Sequence, residues 1–171
     1  DFAYSGDLDA FSLDDDGNPL NELSNTTKFS NLVPGGYSVT EAAETGWDLT
    51  NLTCDDGDGG TTTSTTTRTA AIDLDPGQDI TCTFVNSKRG SIVIIKDAVP
   101  DDTQDFHYAT TGADLDAFDL DDDSDGTLSN TTTFSDVTAG TYTVTEDAIS
   151  GWDLTNLVCI DPTGDSTTSL G

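Results

Sequence analysis

The sequence repeats itself. Tyr37-Ser38-Val39-Thr40-Glu41 returns as Tyr142-Thr143-Val144-Thr145-Glu146, Gly46–Leu52 as Gly151–Leu157 and Cys54 as Cys159, each shifted by 105 positions. Phe2-Ala3-Tyr4 matches Phe106-His107-Tyr108, and Leu8–Phe11 matches Leu115–Phe118, at offsets of 104 and 107 that reflect loop insertions. Self-similarity at one long period means two copies of a single module. Copy 1 spans residues 1–90 and copy 2 spans residues 91–171.

The phase of the repeat constrains assembly. Ser91–Asp97 (SIVIIKD) is an apolar strand preceding copy 2, and no such segment precedes copy 1. Conversely, Ala70–Leu74 and Asp79–Asn86 close copy 1, and copy 2 reaches Gly171 without their counterparts. Copy 1 thus lacks its first strand and copy 2 its last strands. Two sources are open: a longer tandem array, or strands supplied by neighbouring chains, since an open sheet edge is a template for a foreign strand.

Short segments of alternating polarity, separated by Gly, Pro, Asn and Asp clusters at roughly ten-residue spacing, predict an all-β sandwich. In copy 1 strands are expected at Asp1–Tyr4, Ala10–Leu13, Thr26–Phe29, Tyr37–Glu41, Trp47–Cys54, Thr66–Leu74 and Asp79–Asn86. Composition agrees, because 30 Thr and 13 aromatics favour strands. The net charge of -28 excludes nucleic acid and anionic membrane surfaces as partners. There is no apolar run long enough to predict a membrane-spanning helix. One His, no Met and three Cys leave little catalytic vocabulary, so no enzyme is expected.

The alternation places some polar residues on the inward face. Tyr37, Val39 and Glu41 share a face, as do Tyr142, Val144 and Glu146. Cys82, Phe84 and Asn86 share one, and so do Ile92, Ile94 and Lys96. A buried charge without a partner is costly, so these groups either meet one another or escape to solvent at the strand ends.

The set is an ordered one: Lys96-Asp97 ending a first strand, then Gly140-Thr141-Tyr142-Thr143-Val144-Thr145-Glu146. Copy 1 carries Gly36-Tyr37-Ser38-Val39-Thr40-Glu41 and then Thr83-Phe84-Val85-Asn86 on a last strand. This resembles the Cna-B or SpaA-type prealbumin-like repeats of bacterial surface proteins and pilins. The resemblance implies a prealbumin-like, Ig-like sandwich and an autocatalytic Lys–Asn isopeptide bond promoted by the Glu. It would make Lys96 the nucleophile, Glu146 the proton shuttle, and Asn86 with Glu41 the acceptor side of another copy. Apolar surroundings favour a neutral amine beside a protonated acid, and close placement replaces a bimolecular encounter. The sequence departs from the family pattern in two respects. Ala-Pro-x-Gly-Tyr after the Glu is replaced by Ala42-Ala43-Glu44-Thr45-Gly46-Trp47, and no copy holds Lys, Glu and Asn together.

Cys54 and Cys82 lie in copy 1, while Cys159 is the equivalent of Cys54. That arithmetic predicts a Cys54–Cys82 disulfide, and hence an oxidising, extracellular or cell-surface setting.

Asp121-Asp122-Asp123-Ser124-Asp125-Gly126 fits the D-x-D-x-D-G opening of a calcium loop, and Asp14, Asp16 and Asn18 stand at the equivalent places in copy 1. Calcium ligands are therefore expected at Asp14, Asp16, Asn18, Asp121, Asp123 and Asp125. The other reading is a solvated acidic surface. Cys54–Gly60 is a second acidic loop, echoed by Asp161 and Asp165. Asn25, Asn51 and Asn130 head N-glycosylation sequons, and Thr61–Thr67 reads as an O-glycan tract or a polar hairpin loop.

The function expected is structural: a repeat unit of an extracellular filament, pilus or stalk, its partners copies of itself joined head to tail. The alternative is a calcium-dependent adhesin module binding glycan or host protein, which expects an exposed aromatic, Trp47 or Trp152, near the acidic loops.

Overall fold

The computed structural model describes residues 1–16, 23–123 and 125–170. These residues are all β, with twelve strands and no helix among them. The chain divides into two compact units, Asp1–Gly90 and Ser91–Gly171.

Unit 1 contains β1 (Phe2–Gly6), β2 (Phe11–Leu13), β3 (Gly35–Glu41), β4 (Trp47–Asp55), β5 (Thr62–Ser64), β6 (Thr69–Leu74) and β7 (Thr81–Lys88). One sheet runs β2-β1-β3-β6-β5 with antiparallel neighbours, and β4 pairs antiparallel with β7 in a second. Leu49 and Leu52 from β4 meet Ala70 from β6, with Cys54, Ile72, Cys82 and Phe84 packed around them. The core therefore lies between two sheets. Residues three apart on a regular strand point to opposite faces, yet Leu49 and Leu52 are both buried. The pairing shifts register between Leu49 and Asn51, and the extra residue turns both leucines inward. Thr50, the residue pushed out, donates its hydroxyl to Val85 O at 3.1 Å.

Unit 2 takes β8 (Gly90–Ile95), β9 (Phe106–Thr111), β10 (Phe118–Leu120), β11 (Thr131–Val137) and β12 (Thr143–Glu146). Its sheets are β10-β9-β12 and β11-β8. Ala98, Phe106, Tyr108 and Leu120 form the core, covered by Ile94, Phe118, Val144, Ile149 and Trp152.

The two units carry the same aromatic scaffold. Tyr4 stacks on Phe11 at 4.7 Å and Tyr108 on Phe118 at 4.8 Å. Phe2 meets Trp47 edge-on at 5.3 Å, and Phe106 meets Trp152 in the same way at 5.2 Å. Such pairs add directional preference to area burial, so the repeated aromatics fix the same relative placement of elements twice. Gly6 and Gly112 mark one more shared constraint. Both have positive φ, 149° and 114°, and a Cβ there would meet Ser38 O at 2.1 Å or the Tyr142 ring at 2.2 Å. Only glycine lets β1 and β9 end against these neighbours.

Two strand expectations need correction. The strand expected at Thr66–Leu74 starts later, as β6 at Thr69: residues 65–68 are the turn of the β5–β6 hairpin, with Arg68 at φ 56°. Thr26–Phe29 is not a strand either, and none of the described residues pairs with it. Its counterpart in unit 2, β11, is a strand because β8 lies beside it. Unit 1 has no counterpart of β8 among its described residues, and a strand needs a ladder partner to satisfy its backbone. The mirror case is Trp152–Ile160, the counterpart of β4, which forms no strand and has no β7 beside it. Leu154 and Leu157 are accordingly 37% and 44% exposed, where Leu49 and Leu52 are at 8% and 4%.

Candidate functional site

Glu41 ends β3 and is 1% exposed. Three donors converge on its carboxylate. Tyr4, directly opposite in the β1–β3 register, donates its hydroxyl to Oε2 at 3.1 Å. Asn86 on β7 donates Nδ2–H to the same oxygen at 2.9 Å. Arg68 pairs through Nη2 with Oε1, and its backbone carbonyl accepts from Glu41 N–H at 2.9 Å. A charge removed from water survives only with this kind of pairing. Two atoms at the site stay unmatched: among the described residues, Arg68 Nε and Asn86 Oδ1 are buried with no hydrogen-bond partner. Burial, then the Glu41 charge and hydrogen bond, push the Tyr4 phenol well above its ordinary value, with Arg68 opposing.

Unit 2 builds a related arrangement around Glu146. Lys96, 8% exposed, lies just past β8 with Nζ 3.2 Å from both carboxylate oxygens. Tyr108, opposite Glu146 in the β9–β12 register, donates to Oε2 at 2.9 Å. The Lys96 ammonium also sits 3.7 Å from the Phe106 ring centroid, a cation–π contact. Burial and the Glu146 hydrogen bond push the Tyr108 phenol upward too.

The inward polar residues therefore meet partners instead of escaping to solvent. Lys96 and Glu146 are paired within unit 2, and Asn86 and Glu41 within unit 1. Sequence reasoning missed Tyr4, Tyr108 and Arg68. The repeated Phe-x-Tyr was the available signal for the tyrosines. For Arg68 it was a lone cation inside a threonine tract with no acidic neighbour in sequence.

Cys54 and Cys82 face each other in the β4–β7 register and are bonded, with Cα atoms 4.0 Å apart. Cys159 is a free, exposed thiol.

In the first acidic loop of unit 2, carboxylate oxygens of Asp121, Asp123 and Asp125 lie within 4.8 Å of one another. Hard oxygen donors at this spacing fit a calcium-sized cation. Asp121 is 2% exposed, and burial together with the charges of Asp123 and Asp125 raises its carboxyl above the ordinary range. Thr127 holds Asp125 below that range through side-chain and backbone hydrogen bonds. Asp122 is otherwise engaged, accepting from Ala98 N–H and Asn130 Nδ2. A cavity of about 240 Å³ opens beside the loop between Asp121, Asp122 and Asn130. In unit 1, Asp16 N–H donates to Asp14 Oδ1 as Asp125 N–H does to Asp123 Oδ1. Asn18 lies outside the described residues.

The second acidic loop uses its carboxylates on itself. Asp56 accepts from Gly59 and Thr61 N–H, and Asp161 from Thr163, Asp165 and Ser166 N–H. The Thr61 and Gly59 N–H bonds hold the Asp56 carboxyl below the ordinary range, and the Thr163 and Ser166 hydroxyls, followed by the N–H groups of the same two residues, hold the Asp161 carboxyl well below it. The sequon residues Asn25, Asn51 and Asn130 are all exposed.

A family model for the prealbumin-like fold domain matches the chain twice, over residues 1–88 and 92–170. Neither a curated protein nor a solved structure matches it. Domains of this kind are structural modules typical of pilins and other cell-surface proteins. No helix among the described residues is long and apolar enough to cross a membrane.

Proposed function

The chain belongs, twice over, to the family of prealbumin-like fold domains, and on that footing we propose that it is a repeating unit of an extracellular filament or stalk whose modules are completed by shared strands. The observation that carries this reading is one contrast between equivalent segments: β11 is paired with β8, while Thr26–Phe29 has no strand beside it among the described residues. A strand of β8 type fits that place. It alternates inward Ile92 and Ile94 with outward Val93 and Ile95 and is followed directly by the buried Lys96. The half-exposed Leu154 and Leu157 call for the complementary element, a β7-like strand. Copies of this module are the partners with both chemistries. Modules in series give reach and stiffness in place of chemistry.

Covalent closure follows from the same assembly. A lysine delivered to unit 1 meets Asn86 beside the buried Glu41. Its Nζ attacks Asn86 Cγ, the Cγ–Nδ2 bond breaks, ammonia leaves, and Glu41 relays the proton. Lys96 with Glu146 is the matching donor side. Calcium at Asp121, Asp123 and Asp125 is proposed as a loop staple in a chain short of cations, and N-glycans at Asn25, Asn51 and Asn130 as surface decoration.

The adhesin reading is weaker, because it needs an aromatic open to a ligand. Trp47 and Trp152 are half-buried, edge-on against Phe2 and Phe106. Negative-stain microscopy of the native material tests the structural reading. Long fibres or beaded stalks of regular repeat are expected, and isolated particles contradict it. Intact mass tests the covalent step through the loss of one ammonia per bond.

A further inference from the structure

We infer that Arg68 is an internal competitor for the lysine of the strand that completes unit 1, and that it decides whether a lysine is preferred there. The inference rests on the strand-sharing reading.

It starts from a count of charges. In unit 2 the half-buried Glu146, its side chain 14% exposed, is paired with Lys96, delivered by the first strand. In unit 1 the buried Glu41 already has one, Arg68, delivered from the β5–β6 turn. A lysine arriving with a first strand brings a second cation to a single carboxylate that is 1% exposed. Among the described residues Arg68 is ion-paired only with Glu41, so either Arg68 leaves or the lysine gains nothing.

Arg68 is placed to leave. Its side chain keeps 18% of its surface exposed, so an outward rotation takes the guanidinium to solvent. Its Nε is buried without a partner, which weakens its hold on the site. The site is meanwhile better furnished for an ammonium than for this guanidinium. Asn86 Oδ1, buried and unpartnered, lies on the residue that already donates to Glu41. A lysine offers three donors on one atom, enough for the Glu41 carboxylate and for that orphaned carbonyl together. Arg68 thus occupies the charge of the site without satisfying its geometry.

The test uses the full chain and two synthetic peptides: residues 90–97, and the same peptide with norleucine in place of the lysine. Binding is read by titration calorimetry. The unaltered protein is expected to bind the two peptides within about two-fold of one another, because moving Arg68 off Glu41 offsets what the lysine gains there. Arg68→Met is expected to favour the lysine peptide by about ten-fold or more, as desolvated charge pairs do. Because Arg68→Met leaves Glu41 without a cation and risks misfolding, the double variant Glu41→Gln, Arg68→Met provides a second arm. With both charges gone it is expected to fold and to bind the peptides equally. An equal lysine preference with and without Arg68, or a preference surviving in the double variant, overturns the inference and leaves strand sharing intact. Binding of neither peptide to any of the proteins overturns strand sharing itself, and the role of Arg68 with it.

Discussion

Asn86 donates its Nδ2–H to Glu41 at 2.9 Å, while its own Oδ1 is buried with no partner. The same carboxamide is thus half satisfied. It holds one donor to the buried acid and leaves its acceptor unmatched. Lost donors to a buried carboxylate are expensive, whereas loss of the orphaned acceptor is not.

Substitutions at Asn86 separate these terms. Asn86→Asp sets a second carboxylate against Glu41 and is expected to destabilise unit 1 by about 3 kcal/mol or more. Asn86→Leu removes one donor and the unmatched carbonyl together, and is expected to cost about 1–2 kcal/mol. Denaturant unfolding followed by tryptophan fluorescence measures both. Equal costs contradict the proposed geometry.

Alkaline stability follows from Tyr4 and Tyr108. Both phenols are pushed above their ordinary value of 10.0 in the folded chain, chiefly by burial and then by the adjoining Glu. A group whose folded pKa is raised binds its proton more tightly when folded. Its stabilisation is full below pH 10 or so and is lost as pH rises above the unfolded tyrosine value. Tyr4→Phe and Tyr108→Phe are each expected to flatten the fall of melting temperature above that pH. An unchanged alkaline slope in the double variant contradicts this.

The Cys54–Cys82 bond closes a loop of sequence separation 28. On the chain-entropy estimate it stabilises by about 3–4 kcal/mol. Reduction is expected to speed hydrogen exchange in β4 and β7 and to leave β9, β10 and β12 unchanged. A thiol reagent in native buffer is expected to label Cys159 alone before reduction. Labelling of Cys54 or Cys82 under those conditions excludes the disulfide.

Asp121 supplies the pH and metal test. Its folded carboxyl titrates above the ordinary 3.8 because burial and its neighbouring carboxylates disfavour the charged form. The folded state therefore holds this proton more tightly, and stability falls as pH rises through the interval above 3.8. Calcium is expected to reverse that fall and raise the melting temperature at neutral pH, and Asp121→Asn to abolish the response. No bound calcium and an unchanged melting temperature in chelator contradict the site.

Much of this molecule was legible in its sequence. The repeat placed the modules, and the Tyr-x-Val-x-Glu alternation put Glu41 and Glu146 on the inward face because strand side chains alternate strictly. Cys54 and Cys82 followed from counting. A hairpin in the threonine tract was one of two readings, but the end of its turn was misplaced, since Arg68 adopts φ 56° beside threonines whose composition favours strand. Thr26–Phe29 failed for a different reason. Its residues are sound strand formers, and its counterpart Thr131–Val137 proves the point, but a strand is a property of a pair. Tyr4 and Tyr108 escaped notice because their role depends on cross-strand register with Glu41 and Glu146, which local periodicity does not encode.

Hydrogen exchange of the full chain, with and without the peptide of residues 90–97, tests strand sharing most directly. Without peptide, amides of Thr131–Val137 are expected to be protected and those of Thr26–Phe29 to exchange freely. With peptide, Thr26–Phe29 and the β7 strand are expected to become protected while unit 2 stays unchanged. Thr26–Phe29 exchanging just as freely at saturating peptide contradicts the completion of one module by another's strand.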